Sequence, residues 1–443
     1  MDRTDDSHQH TRGVRRATRA FSPELAGQVR RLIAIRFLLY MGAMGSFYIG
    51  VLGTLTYAME GGAGDNAIAV ALINLLIMVG GVQSGRLLDH LGPRGHLRIC
   101  IALMIACGLA YQVLGTFTAG VFLGAAFFGL SWGMADIVQR AYPAYLTDDA
   151  EELQRINARV GMASNIGIVI GPTVGGAIVM VAPTQAVFLF MTVCSAAALV
   201  PGLSFRPLRE PERAAEDPIA SKRKSEGTIQ AGFSEIFASV VLTLLFWATL
   251  LSFMGYGAFD PLESLFYRDV LKVGASWMGW LSALSGVGGI AGALIAAAIP
   301  ARHVNVRSLL IVLALTGLGS LVYVGTPYVV VACAGQLILG VAFSVFGPIK
   351  DTLVQLHTPL ASIGRVNAAM GAGYNMAGVL PLVAAPALAR MFTVQGTLVG
   401  AALMVALVPM AILALRWRSL AGMVAAERTA DAQHDRGYTR RSE

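Results

Sequence analysis

Apolar residues run through this chain in long uninterrupted blocks, and each block is long enough to cross a bilayer, for which a helix needs about 20 residues. Taken in order, the blocks predict twelve helices near 33–57, 67–86, 97–115, 118–141, 157–182, 184–204, 236–259, 275–300, 306–325, 327–349, 367–390 and 394–415. Short Gly/Thr/Pro turns divide the close pairs within 97–141 and 306–349. Between the sixth and seventh blocks, residues 205–232 are polar, mixed in charge and without helical periodicity, which reads as a solvated linker. The expected organisation is a tail over 1–32, a six-helix half over 33–204, a linker over 205–235, a second six-helix half over 236–415 and a tail over 416–443. Both tails are expected to be disordered or to lie on the membrane surface.

Composition agrees with this pattern. Apolar residues make up 56% of the chain and charged residues only 13%, and the mean hydropathy is +0.65. A soluble domain carries roughly 25% charged residues, so lipid is expected to cover most of the surface of an all-α polytopic protein. The net charge of +7 does not imply nucleic acid, because the basic residues alternate with the apolar blocks instead of forming one patch. They fix an orientation instead. With the N-terminus in the cytoplasm, every one of the 33 Lys and Arg except Arg268, Lys272 and Arg390 falls inside. Both termini are thus expected to be cytoplasmic, in the inner membrane of a bacterium.

The chain shows no catalytic constellation. Cys100, Cys107, Cys194 and Cys333 lie inside apolar blocks without CxxC spacing, and no His or Cys cluster has metal-ligand spacing. His8 and His10 belong to the solvated tail. A GxxxxGK[ST] phosphate loop is missing, so no cofactor is expected and energy would come from an ion gradient.

Two motifs carry more information. The fifth block contains Gly167-x3-Gly171-Pro172-x2-Gly175-Gly176 with no ionisable side chain, a small-residue face that lets another backbone approach closely. The residues leading into it, Arg155-x-Asn157-Ala158-x2-Gly161-x3-Asn165, recur as Arg365-x-Asn367-Ala368-x2-Gly371-x3-Asn375, a constant offset of 210. A membrane chain built as two related halves points to a carrier. The second motif lies between the second and third blocks and reads Gly85-Arg86-Leu87-Leu88-Asp89-His90-Leu91-Gly92-Pro93-Arg94-Gly95.

Gly-x-Leu-x-Asp-x-x-Gly followed by basic residues resembles the signature loop of the major facilitator superfamily. The fifth-block glycine pattern resembles that superfamily's antiporter motif, and the Arg-x-Asn-Ala entries resemble its macrolide-efflux and enterobactin-exporter branch. The resemblance implies a major facilitator fold of twelve helices in two pseudo-symmetric halves, and export of a small-molecule substrate in exchange for protons by a monomer in the lipid bilayer. It also implies a conformational latch, in which the loop locks the outward-open state against the region of Arg365 to Gly371. The expected charge network is Asp89, Arg94 and Asp136, with Arg86 and Arg140 as further members and Gly85 and Gly92 permitting the turns. Pro93 stands where the family usually has its first basic residue, and Ala296 replaces the acid in the second half's equivalent, so the latch is expected to be one-sided.

In that superfamily the first, fourth, seventh and tenth helices line the cavity. Carried over, this selects Tyr40, Ser46, Tyr48, Trp132, Met134, Phe253, Met254, Tyr256, Gln336, Phe343 and Phe346, with Asn165 and Asn375 added as paired polar residues in apolar blocks. Aromatics and methionines suit amphipathic ligands. Arg36 is expected to snorkel to the interface. Asp136 and Asp260 are the candidate proton-coupling acids. Asp260 and Glu263 also admit a plainer reading as exposed acids at a helix end, and import of a small metabolite or a non-transporting sensor remain alternatives.

Overall fold

The computed structural model describes residues 21–209, 230–300, 303–358 and 362–439, and every regular element within them is helical. Ten of the spanning helices are α1 (Pro23–Ala58), α2 (Ala63–Leu88), α3 (His90–Leu114), α4 (Thr118–Tyr145), α5 (Glu152–Ile178), α6 (Ala186–Ser204), α7 (Val240–Val270), α8 (Ser276–Ala298), α9 (Val306–Val324) and α10 (Val329–Leu356). The remaining stretch, Arg365–Leu415, is broken at Thr393 (φ 67°, ψ 165°) into α11 and α12, making twelve. Each of these eleven stretches is long and apolar enough to cross a membrane.

Local chemistry explains several boundaries. Ser22 accepts the Leu25 N–H at 3.3 Å and Pro23 begins α1, where a missing donor costs nothing. Asn305 caps α9 through the Ser308 N–H at 3.0 Å. Gly92, with φ 68°, supplies the left-handed residue that turns α2 into α3. From Ser46 to Ala58, α1 widens to a π-helix, a pitch that inserts extra residues without breaking the rod.

One expectation is corrected. The seventh helix runs to Val270 instead of stopping near 259, because Pro261 sits in the first turn of the Phe259–Leu265 segment, where proline is tolerated. After 415 the chain stays helical to Thr439, in a stretch of good helix formers such as Ala, Glu and Arg.

Within the first six helices α1 packs on α5 and α6, and α2 and α3 pack on α4 and α6. The second six repeat this plan, with α7 on the α11–α12 stretch and α8 and α9 on α10. Between the halves α5 lies on α8, and α2 meets α7 and the α11–α12 stretch.

Three apolar cores result. One, around Leu32, Leu39, Met104 and Phe128, draws only on the first half. Another, around Leu245, Phe246, Leu309 and Leu353, draws only on the second. The third bridges both, joining Ile49, Leu52 and Val70 to Leu262, Phe266, Leu281 and Leu398. All members of the bridging core lie toward one face, where α1 ends and α2 begins. At the opposite face, which carries the start of α1 and the linker, no apolar cluster joins the halves among the described residues. There a Cβ built on Gly161, Gly347 or Gly371 would meet nothing within 4 Å. The apolar joining of the halves is thus concentrated at the far face.

Candidate functional site

Three features stand out around the meeting of the halves: a charge cluster in the first half, an aromatic wall in the second, and a polar seam that joins them at the far end.

The charge cluster centres on Asp136 of α4. Arg36 of α1 pairs with its Oδ1 at 2.9 Å, Arg140 with its Oδ2 at 2.7 Å, and the Tyr40 hydroxyl donates to Oδ1 at 2.7 Å. Arg36 is buried, at 3% exposure, and its other donors reach Ser164 Oγ (2.8 Å) and Tyr40 OH (2.9 Å). This corrects two expectations. Arg36 does not snorkel to the surface but ties α1, α4 and α5 together. Arg94 does not join Asp136, because its guanidinium, with that of Arg98, donates to the Leu203 carbonyl at the end of α6. Among the described side chains of the expected latch network, only Asp136 and Arg140 come together. Gly85, Arg86 and Arg94 are exposed at the terminal face, and the Asp89 side chain lies outside the described residues. Arg365, the expected latch partner, is held within its own half by Glu235 at 3.1 Å and Ser362 at 2.8 Å. The Ser362 hydroxyl, and then the Arg365 guanidinium, hold the Glu235 carboxyl below the usual carboxylate range.

The aromatic wall runs through the second half. Phe253 of α7 lies 6.0 Å from Phe343, 5.5 Å from Phe346, 6.2 Å from Tyr374 and 5.5 Å from Tyr256 between ring centroids. Phe343 is 50% exposed. From Tyr256 the track continues to Phe259 and Tyr323 at 5.5 and 6.4 Å, and the Tyr323 hydroxyl lies 2.6 Å from Glu263 Oε1. Asp260 and Glu263 are thus half-buried helical acids, not exposed loop ends. Tyr48 of the first half lies within their electrostatic reach. Asp260 makes no hydrogen bond or ion pair among the described residues.

Other expected cavity residues fall elsewhere. Trp132 packs edge-on to Tyr40 at 4.7 Å. Both Trp132 and Met134 are 6% exposed in the first-half core, where small residues draw α2 against α4. Gln336 is buried at 5% exposure and Ser46 is turned to the Val187 carbonyl. Asn165 is exposed on α5. The Asn375 side chain lies outside the described residues. Sequence reasoning missed Tyr374, Tyr267 and Tyr323. The four-residue spacing of Glu263 and Tyr267 was the one available signal.

The seam joins the halves through hydrogen bonds. Arg268 donates to the carbonyls of Thr56 (2.7 Å) and Gly61 (3.1 Å) while pairing with Asp269. Asn66 donates to Pro261 O (3.0 Å) and Ser264 Oγ (2.9 Å), and Tyr57 OH donates to Val273 O (2.9 Å). The glycine motif reinforces it. Gly167 and Gly171 seat α5 on the backbone of α1, and Gly175 faces Ile49. A Cβ on Gly176 would stand 2.8 Å from the Gly279 Cα, across the halves, and Pro172 presents its carbonyl to Gly279.

The family described as Major Facilitator Superfamily matches residues 32–380. The chain belongs to it. Among solved structures, a variant of the nucleoside transporter NupG superposes with a TM-score of 0.68 at 12% identity, covering 87% of this chain and 99% of that one. A POT family transporter in complex with 5-aminolevulinic acid gives 0.65 at 12% identity, covering 87% and 95%. The human organic anion transporter MFSD10 gives 0.57 at 16% identity, covering 88% and 99%. At these identities the likeness speaks for the fold alone. No curated protein matches in sequence. The fold and family make the chain a polytopic membrane transporter of small molecules and not an enzyme.

Proposed function

We propose that this transporter exports amphipathic small molecules, drugs or metabolites, across the cytoplasmic membrane of a bacterium in exchange for protons. The observation that carries the reading is the aromatic track from Phe343 through Phe253 and Tyr256 to the half-buried acids Asp260 and Glu263, directly beneath the closed far face. Apolar rings with few charges suit bulky amphipathic ligands. Acids inside a spanning helix are costly unless they function. With the terminal face cytoplasmic by the positive-inside rule and the halves joined at the far face, substrate would load from inside. Asp136, engaged by two arginines and a tyrosine, holds the first-half bundle, which leaves the proton to the acids of α7. The two halves then rock about a midplane site.

The test is transport of a panel of dyes and antibiotics into everted membrane vesicles without ATP. Accumulation that needs an imposed proton gradient, collapses with an uncoupler and is lost in the Asp260→Asn/Glu263→Gln double variant is the expected result. Gradient-driven uptake into intact cells instead would make the chain an importer. Movement indifferent to both the gradient and the acids would remove proton coupling.

A further inference from the structure

We propose that Glu263 is the acid that carries the coupling proton, and that its protonation holds the far face shut. This rests on the proton-coupled reading above and narrows it from two acids to one.

Three oxygens meet at this point. The Tyr323 and Tyr267 hydroxyls contact Glu263 Oε1 at 2.6 and 3.0 Å, and the two hydroxyls are also within hydrogen-bond distance of each other. A triangle of oxygens has three edges, and each needs one proton. The tyrosines bring two. With Glu263 ionised, one edge is left as two oxygens facing each other without a proton between them. With Glu263 protonated on Oε1 the count is three, and the ring closes in one direction: Tyr323 to Tyr267, Tyr267 to Glu263, Glu263 to Tyr323. The compact triangle is the arrangement that a bound proton satisfies.

The triangle is wired to the seam. Tyr267 accepts the Val273 N–H on its carbonyl (3.0 Å), and the Val273 carbonyl in turn accepts the hydroxyl of Tyr57 from the first half (2.9 Å). The next residue, Arg268, grips Thr56 and Gly61, and Ser264 beside Glu263 accepts from Asn66 and shares a hydrogen bond with the Thr56 hydroxyl. Tyr323 reaches in from α9, so the triangle also fixes α9 to α7. Removing the proton loosens the residues that carry the inter-half bonds.

The titratable and charged groups around Glu263 are Asp260 one turn earlier, Tyr267, Arg268 and Asp269 on α7, Tyr323 on α9, and Tyr48 and Tyr57 on α1. The cation among them, Arg268, is spent on Asp269 and two carbonyls. Asp260 has no comparable ring. The direction suits antiport: a proton taken from the far side closes that face and returns the empty carrier, and its release to the terminal side admits substrate.

The experiment places spin labels at Met180 and Tyr328, exposed at the far face on opposite halves, in the full-length chain with its four cysteines replaced. Distances are measured in lipid nanodiscs at about pH 5.5 and about pH 8.5. The short, closed distance should dominate at the acidic pH and a longer one should grow at the alkaline pH. Glu263→Gln, which keeps a donor and an acceptor but cannot titrate, should stay short at both and lose gradient-driven transport by about tenfold or more. Asp260→Asn should keep the pH response. Tyr323→Phe, eluting as a single species on size exclusion, should lose it, which guards against misfolding of the Gln variant. A Glu263→Gln protein that retains the wild-type pH response overturns the proposal, and if it also transports normally, the antiport reading survives without this site. A pH response lost in Glu263→Gln alongside wild-type transport indifferent to the gradient would uphold the proton site and sink the antiport reading.

Discussion

Asp136 has two guanidiniums for one carboxylate, and Arg36 is the one that water cannot reach. Removing Arg36 leaves a partly buried carboxylate with only the exposed Arg140 as its cation, while Ser164 and Tyr40 lose a donor. Arg36→Met should therefore destabilise the first half by about 3 kcal/mol, read as a lowered thermal midpoint in detergent. Adding Asp136→Leu should recover part of that loss, because contacting residues are not additive. Glu235 makes a pH prediction. Its folded-state pKa is depressed by Ser362 and Arg365, so the contact contributes stability above the unfolded carboxylate value of about 4.3 and loses it as pH falls through the folded value. Glu235→Gln should lower the melting midpoint at neutral pH, where the ionised contact contributes, and flatten the acid limb of the profile below about pH 4.5. Neither contact was legible in the sequence. Arg36 and Asp136 are 100 residues apart, Glu235 and Arg365 are 130 apart, and local spacing says nothing of such pairs. Asp136 with Arg140 was legible, since four residues on a helix share a face.

Helices were the most readable level. Twelve apolar blocks became twelve helices because an apolar run long enough to span a bilayer has few other ways to satisfy its backbone. The glycine pattern of α5 also predicted its packing, since the backbone of α1 lies against Gly167 and Gly171 and that of α8 against Gly176. What the pattern could not say is that these glycines serve two partners, one in each half. That divides the expected phenotypes. Gly171→Val would meet the Met41 carbonyl and should lower the yield of folded protein. Gly176→Leu should leave folding intact, because Gly279 belongs to the opposite half, and shift the carrier toward a far-open state. Faster labelling of a cysteine introduced at the far end of α5 would show this, and unchanged labelling would deny it. The end of α7 was misjudged because Asp260-Pro261 looks like a stop, whereas proline in a first turn continues a helix.

At the scale of the molecule, the arrangement of cores defines the conformation: two private to the halves, and one shared at the far face. The twofold plan was visible in the 210-residue repeat, but which face is closed depends on contacts between halves that no repeat encodes. The seam can be weakened at one residue. Arg268→Ala removes two inter-half hydrogen bonds and should raise the far-open to far-closed ratio by up to about a hundredfold, given roughly 1.5 kcal/mol for each bond to a charged donor; spin-label distances would report it. The central claim, that substrate and proton move in opposite directions, is tested most directly with the purified protein in sealed liposomes containing a pH dye. Adding an exported compound outside should make the interior alkaline as protons leave against entering substrate, in the wild type but not in the Asp260→Asn/Glu263→Gln double variant. An interior that turns acidic would mean that substrate and proton travel together, and the exporter reading would be wrong.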